Sequence, residues 1–311
     1  MPRPLVRALF VFGAAICALL VGETALRVAD YPYIGCPKVS QIPEDAIGRY
    51  DSVLGWSYIP GSTRTYNGVT YSFSREGYRA ETVTQITDFS KPRILIVGDS
   101  TMFGDGVQFT DTFGYRLQKA LHDRYEVVNF AVQGFGLDQI YLRLQQVMKT
   151  YKPRYVIVDF IEDQDYRDMN RDRRELFPCY VIAGTKPVFT LSGGRPVEIY
   201  KPELFTKYDN PRVLLVLKRF IDTLQQDSVD PKILSGALYA HLVDYIQKHG
   251  ATFFGINYQL PLREYQKAQS ASILVAQYGR SYVLPDGFHP NPQGTARLVN
   301  DFMKKFGEKL Q

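Results

Sequence analysis

The sequence predicts an α/β domain built on a central parallel β-sheet of about five strands. Short, continuous apolar runs alternate with amphipathic helical stretches, which is the pattern of strand–helix–strand units. The runs lack the polar alternation of a half-exposed strand, as expected when helices cover both faces of a sheet. A separate apolar segment at the N-terminus, with basic residues before it, indicates a membrane signal.

The predicted strands and helices follow one another in regular order until residue 165. Strands are predicted at 93–97, 126–130, 155–160, 251–258 and 281–284. Helices are predicted at 111–124, 138–151, 211–226, 231–249, 262–278 and 291–308, with Asp138 as the cap of the second and Asp230 as the cap of the fourth. Residues 166–210 break the alternation, and within them 188–200 predicts a β-hairpin with a Gly-Gly turn. We expect these residues to form an inserted lid or subdomain.

The N-terminal segment predicts an uncleaved membrane anchor. Residues 8–22 carry no charge, and Arg3 and Arg7 precede them. A small-residue cleavage site is missing, and Ile16 before Cys17 does not fit a lipoprotein cysteine. The basic residues place the N-terminus in the cytoplasm and the remaining chain outside. The predicted organisation is therefore an anchor at 1–29, an irregular β-containing lead-in at 30–91 and the main domain at 92–311.

Composition and motifs argue against several other functions. The net charge is +5, but Lys and Arg are interleaved with acids, and the dense run 167–175 alternates in sign, which favours a solvated face over nucleic-acid binding. The glycine-rich loops lack the spacing of nucleotide-binding motifs. No Cys/His spacing suggests zinc. Cys36 and Cys179 could pair, but spacing alone does not decide it.

Chemistry-bearing residues follow several of the predicted strands. In open α/β sheets, ligands bind beyond the carboxyl ends of the strands, so these loops should meet at one edge. The loops are 98–104, 131–136, 162–165 and 286–290. Each motif taken alone also has a structural explanation without catalysis. Gly-Asp-Ser is a common turn sequence, and Asp-x-x-His can cap a helix. Their occurrence in order at successive strand ends favours a shared site.

These loops contain the parts of a serine nucleophile site. A serine hydroxyl needs a base, and only His289 among the four histidines lies in a loop after a strand with an acid three residues before it. Asp286 at that spacing can hold the other ring nitrogen. The backbone N–H groups of Ser100 and Gly134 can then stabilise the developing oxyanion. The sequence thus predicts Ser100, His289 and Asp286 as the catalytic residues.

The same residues resemble the SGNH (GDSL) hydrolase family, and the segments 23–27, 51–56, 60–61 and 77–79 resemble the N-terminal part of its membrane-anchored bacterial members. Gly98-Asp99-Ser100 is similar to the first block, 129–139 to the second and Asp286-Gly-Phe-His289 to the fifth. The resemblance implies a three-layer, flavodoxin-like sandwich and acyl transfer through Ser100. It also implies Asp99 as a supporting residue and Gly134 as an oxyanion donor. No cofactor or metal is expected.

The third block departs from the family, because Gln164 occupies the position of the oxyanion-donating Asn. Three readings follow: an esterase on small-molecule or glycan acyl esters of the cell envelope, an O-acetyltransferase acting on polysaccharide, or a catalytically silent envelope binding protein. The neighbouring acids lack the spacing of a calcium loop. We expect them to form a solvated rim, paired with Arg167 and Arg171; they are Glu162, Asp163, Asp165 and Asp168.

Overall fold

The computed structural model describes residues 3–29, 31, 48–161, 163–171, 185–203, 211–214, 216–217 and 229–310. The chain divides into two compact units. The first comprises Met1–Pro43, Asp172–Val181 and Phe205–Ser228, and the second comprises Glu44–Arg171, Ile182–Leu204 and Val229–Gln311.

The first unit contains the apolar helix predicted at the N-terminus. Helix α1, Arg3–Val28, has 26 residues and is about 39 Å long at 1.5 Å per residue. Its segment Phe10–Val28 has a mean hydropathy of 1.8 and none of it is buried, so by length and composition it can cross a membrane. Within this unit Arg212 donates to the carbonyl of Leu26, which satisfies one of the open carbonyls at the helix end.

The second unit is built on a sheet whose central strands run parallel. The strands in the described residues are β1 (Gly48–Asp51), β2 (Gly55–Tyr58), β3 (Thr63–Tyr66), β4 (Val69–Phe73), β5 (Arg79–Ala80), β6 (Arg93–Val97), β7 (Glu126–Asn129), β8 (Tyr155–Phe160), β9 (Val188–Ser192), β10 (Arg195–Tyr200), β11 (Thr252–Tyr258) and β12 (Ile273–Ala276). Among the described residues, eight of them form one sheet in the order β12-β11-β8-β6-β7-β5-β4-β3. The first five of that order are parallel, which confirms the predicted fold class.

Helices cover both faces of this sheet. They are α2 (Ser100–Phe103), α3 (Phe113–Ala120), α4 (Leu137–Tyr151), α5 (Gln164–Met169), α6 (Pro231–Lys248) and α7 (Pro292–Phe306). Neighbouring residues of a strand point to opposite faces, and β11 shows the consequence. Phe253 packs against Tyr239 of α6, whereas Phe254 packs against Phe302 of α7. The domain therefore has three layers.

The lead-in extends the main sheet. Strands β3 and β4 form a hairpin whose turn residues, Asn67 and Gly68, both have positive φ, as a tight two-residue turn requires. β4 pairs with β5, and Arg79 of β5 pairs with Asn129 of β7 in antiparallel orientation. This region is expected to be an irregular, β-containing lead-in packed on the domain; its strands β3, β4 and β5 continue the main sheet, whereas β1 and β2 form a separate two-stranded antiparallel sheet.

Three local predictions were wrong. Residues 262–278 are not one helix: Glu264–Ser272 forms 3-10 turns, and Ile273–Ala276 is the fifth parallel strand, paired with β11. The strand expected at 281–284 is absent from this described stretch, where Arg280–Tyr282 is a 3-10 turn. The cap of α4 is Gly136 and not Asp138, whose carboxylate is fully buried and ion-pairs with Lys186.

The insertion contains the predicted hairpin. β9 and β10 pair in antiparallel orientation around Gly193 and Gly194, which both have positive φ. Just before β9, Lys186 enters the interior, where it is fully buried. Cys36, Cys179 and most of the helix predicted at 211–226 lie outside the described residues, so the disulfide stays a prediction.

Candidate active site

The predicted nucleophile begins a short helix directly after β6. Asp99 caps this helix by accepting a hydrogen bond from the Thr101 N–H at 2.9 Å, and Ser100 is its first residue. Gly104 ends the helix with φ of 78°, a conformation that glycine adopts without strain. The chain thus turns sharply at the carboxyl end of a buried strand and presents the Ser100 hydroxyl at the sheet edge.

The structure brings the three predicted catalytic residues together. The Oγ of Ser100 lies 2.8 Å from Nε2 of His289, and Nδ1 of His289 lies 2.7 Å from Oδ2 of Asp286. When Nδ1 carries its proton toward Asp286, Nε2 is free to accept the serine proton. This is the hydrogen-bond relay that an activated serine requires.

Asp286 and His289 are held by contacts within their own loop. Oδ1 of Asp286 accepts the N–H groups of Phe288 and His289 at 2.8 and 3.0 Å, and Gly287 supplies the positive φ of the turn. Partial burial would raise the pKa of Asp286, but the His289 ring and the two backbone N–H groups outweigh it and lower that pKa. Asp286 is therefore ionised at neutral pH and can stabilise an imidazolium.

The second loop is oriented by the lead-in strand β2. Trp56 donates its indole N–H to the carbonyl of Gln133 at 2.9 Å, and the Tyr58 hydroxyl accepts the N–H of Gln133 at 3.0 Å. Gly134 follows with φ of 76°. Because both peptide groups around Gln133 are fixed, the direction of the Gly134 N–H is fixed as well. Sequence motifs alone did not reveal this role of Trp56 and Tyr58.

Two backbone donors remain available at the site. In the described part of the chain, neither the N–H of Ser100 nor that of Gly134 has a hydrogen-bond acceptor. A buried N–H without an acceptor is uncommon in a folded protein. Such groups are the donors that an oxyanion requires, provided that they point to the same place.

The third loop places Gln164 in the interior. Gln164 is the first residue of α5, is 1% exposed, and donates to Oδ1 of Asp168 at 3.4 Å. Its Oε1 has no partner among the described residues. The expectation of a solvated acidic rim was wrong for two of the acids: Asp168 is fully buried, and Asp165 is nearly so and ion-pairs with Arg263.

A buried charge cluster lies directly behind the nucleophile. Oδ2 of Asp99 accepts a hydrogen bond from Arg167 at 3.0 Å, and Oδ1 of Asp159 accepts the N–H of Asp99 at 3.0 Å. Burial alone would raise the pKa of Asp99, but Arg167 and the neighbouring Asp159 outweigh it and lower that pKa. Burial and the Asp99 charge raise the pKa of Asp159 well above its usual value. The two pKa shifts run in opposite directions, so Asp99 is the stronger acid of the pair.

Sequence reasoning missed Arg167 and Asp159 in this cluster. Arg167 stood in a run expected to be solvated, yet it is 7% exposed. The available signal was Asp159 itself, which is an acid inside the otherwise apolar run of β8. A buried acid in a central strand needs polar partners, and this one faces the loop of the nucleophile.

Fold and site together define a class: an α/β protein with a Ser–His–Asp constellation at the carboxyl edge of a parallel sheet. No protein-family model and no curated protein matches the chain. Among solved structures, it is similar to TesA (16% identity, TM-score 0.40, 69% of this chain and 98% of the other). It is also similar to the esterase EstA from Pseudoalteromonas sp. (13%, 0.41, 71% and 99%) and to a catalytic mutant of the acetylxylan esterase Axe2 from Geobacillus stearothermophilus (13%, 0.40, 70% and 94%). These TM-scores lie below 0.5, so the chemistry of this chain rests on its own residues.

Proposed function

We propose that this chain is a membrane-anchored serine hydrolase of the SGNH type that cleaves carboxylic esters through an acyl-serine intermediate. The observation that carries the proposal is the 2.8 Å contact between Ser100 Oγ and His289 Nε2, with Asp286 bound to the opposite ring nitrogen. Ser100 lies 189 residues before His289 in the sequence, and Asp286 lies three residues before it. The three side chains nevertheless form one proton relay. A plain turn or a helix cap does not require that arrangement.

The reaction proceeds in two steps. His289 Nε2 takes the Ser100 proton as Oγ bonds to the ester carbonyl carbon, and the same proton then passes to the departing alkoxide. Collapse of the tetrahedral species leaves an acyl-Ser100 ester. A second hydroxyl, from water in hydrolysis or from a sugar in transfer, then bonds through its oxygen to the acyl carbon while its proton passes to His289. The bond from that carbon to Ser100 Oγ breaks, and Oγ takes the proton back from His289. Asp286 stays ionised throughout and stabilises the imidazolium.

The oxyanion of the tetrahedral species needs donors that are already in place. The backbone N–H groups of Ser100 and Gly134 fit this role, because neither has an acceptor in the described part of the chain. Gln164 is the third proposed donor. To serve, its amide would exchange the long 3.4 Å bond to Asp168 for the oxyanion.

The role of Gln164 has its own test. We expect Gln164→Asn to keep or raise ester turnover, since asparagine offers the same amide on a shorter stem. Gln164→Leu should lose on the order of 10²–10³ in kcat if the amide is a donor. A large loss in the asparagine variant would instead show that the longer side chain is required. Unchanged kcat in the leucine variant would remove Gln164 from the oxyanion hole.

Helix α1 supports an external location for the catalytic unit. The apolar stretch is preceded by Arg3 and Arg7, and basic residues favour the cytoplasmic side. An external serine hydrolase would meet small-molecule esters or acylated envelope glycans. A C-terminal alkaline phosphatase fusion, which is active only outside the cytoplasm, tests this orientation. An inactive fusion, with an active fusion to a cytoplasmic reporter, would place the unit inside.

The decisive experiment uses the full-length chain in detergent. We expect it to react with a fluorophosphonate serine probe and to hydrolyse p-nitrophenyl acetate. Ser100→Ala and His289→Ala should each lower kcat by about 10⁴–10⁶-fold and abolish labelling. His249→Ala is the matched control, because this exposed histidine at the end of α6 contacts only its own helix in the described structure.

Two other outcomes of this experiment would favour the competing functions. A folded wild-type chain with neither labelling nor turnover would overturn the proposal and favour an envelope binding protein. Labelling with slow hydrolysis that accelerates when a sugar acceptor is added would identify acyl transfer as the main reaction.

A further inference from the structure

Arg167 joins three loops of the candidate site at one buried point. Its Nη1 donates to Oδ2 of Asp99 at 3.0 Å, in the loop of the nucleophile. The same nitrogen donates to the carbonyl of Phe135 at 3.2 Å, in the second loop. Its Nε lies 2.8 Å from Oδ1 of Asp163, in the third loop. One guanidinium therefore spans the loops after β6, β7 and β8.

Each of these contacts is made to a residue that is adjacent in sequence to a group that would meet the substrate. Asp99 precedes Ser100 and caps the helix that Ser100 begins, so it sets the direction of the Ser100 N–H. Phe135 follows Gly134, whose N–H is the other proposed donor. Arg167 thus binds the cap beside one proposed donor and the backbone beside the other.

We propose that Arg167 is a positioning residue for ester cleavage, which holds the two oxyanion donors in register and keeps a carboxylate charge beneath Ser100. The inference rests on the proposed function and goes beyond it. Arg167 does not touch the reacting atoms; it acts through Asp99 and through the backbone of the second loop.

Charge and burial give this contact its strength. The side chains of Arg167 and Asp99 are 8% and 2% exposed, so loss of Arg167 would leave the Asp99 carboxylate buried without its ion-pair partner. The pKa of Asp159 is raised while that of Asp99 is lowered, so Asp99 is the acid of this pair that ionises first and supplies the anion. That anion also interacts favourably with a charged His289. The charge on Asp99 therefore favours the same imidazolium that Asp286 stabilises.

The test compares four variants of the full-length chain with p-nitrophenyl acetate. Arg167→Met should lower kcat by about 10²–10³-fold, with KM within about threefold, because misplaced donors affect the transition state more than substrate binding. Arg167→Lys should recover at least about tenfold of that loss, since it restores the charge. Arg167→Met combined with Asp99→Asn should have a kcat within about threefold of Arg167→Met alone, because Asp99 acts through its pair with Arg167 and the two losses are not additive.

Arg93→Met is the matched control for lost stability. Arg93 is a half-buried arginine at the start of β6, at the opposite end of that strand from Ser100, and it donates to the carbonyls of Tyr151 and Lys91 instead of the site loops. We expect it to lower the melting temperature about as much as Arg167→Met while kcat stays within about threefold of wild type. This difference separates positioning from general destabilisation.

Three other outcomes would contradict the inference, and the kinetic and thermal data distinguish them from one another. An active wild type with Arg167→Met at wild-type kcat overturns the inference and leaves the proposed function intact. Equal losses of kcat in Arg167→Met and Arg93→Met at equal melting temperature assign Arg167 a structural role only. A wild type without turnover or probe labelling overturns the proposed function, and the role of Arg167 in it falls as well.

Discussion

The two halves of the candidate site are held in different ways. The histidine half is local and open: Asp286 and His289 bind each other within one turn, and their side chains are 45% and 19% exposed. The nucleophile half is buried, and its contacts come from residues 60 to 77 positions away, such as Asp159, Arg167 and Trp56. The base is therefore positioned by its own loop, whereas the serine and the proposed donors are positioned by distant parts of the chain. Substitutions in the first half should affect chemistry alone, and those in the second should affect chemistry and stability together.

The largest effect is expected in the open half. Asp286→Asn should lower kcat by about 10³–10⁴-fold, because asparagine no longer holds the productive tautomer or the charged ring. The melting temperature should stay within about 2 °C, since the side chain is half-exposed and its partners are local. Kinetics and thermal melting of one preparation measure both. A drop of 10 °C would show that this loop also supports the fold, and the contrast between the halves would fail.

A methyl group at Gly98 tests the buried half. A Cβ there would collide with Oδ1 of Asp159, the atom that accepts the Asp99 N–H. Gly98→Ala should therefore lower both the melting temperature, by about 5–10 °C, and kcat, by about 10²-fold. Gly279→Ala is the control, because a Cβ at that position meets no atom within 4 Å. A fully active Gly98→Ala enzyme would show that the packing behind Ser100 is not needed for its alignment.

The same contrast explains what could be predicted from the sequence. Asp286 and His289 lie three residues apart, so their spacing alone suggests that they meet. The contact between Arg167 and Asp99 depends on the order and register of three strands, and residue patterns along one segment do not encode that order. The charge alternation around Arg167 indicated solvent exposure, and tertiary structure placed it in the interior instead.

The missed strand β12 has a related cause. Ile273–Ala276 is a run of four residues that continues a stretch with helical spacing, and so short an apolar run does not distinguish strand from helix. What makes it a strand is parallel pairing with β11, from Gly255 with Ile273 to Tyr258 with Ala276. The longer apolar runs of β6, β8 and β11 were predicted, because turn residues or caps mark their boundaries.

A smaller effect is expected where the lead-in holds the second loop. Trp56→Phe removes the N–H donated to Gln133 and part of the ring that packs edge-to-face on Phe135, whose ring centre lies 5.8 Å away. We expect kcat to fall about tenfold, at a cost of about 1–3 kcal/mol in stability. Tyr50→Phe is the control, since it removes one hydrogen bond to the Pro202 carbonyl, away from the second loop. Equal kcat in both variants would mean that β2 does not align the Gly134 N–H.

The smallest effect is expected in the pH dependence of stability, and it comes from Asp168, which lies behind the second loop. Burial and the nearby Asp138 charge raise the pKa of Asp168 to about 7, while Ser235, Lys186 and the Leu137 N–H act in the opposite direction. An acid whose pKa is higher in the folded state favours folding below its unfolded pKa of about 4, and this contribution is lost as pH rises through about 7. Asp168→Asn does not titrate, so its melting temperature should fall less between pH 4.5 and pH 8 than that of the wild type, by on the order of 5 °C. Parallel pH dependences in the two proteins would show that Asp168 stays ionised in the fold, which would require the Lys186 charge to outweigh both burial and Asp138.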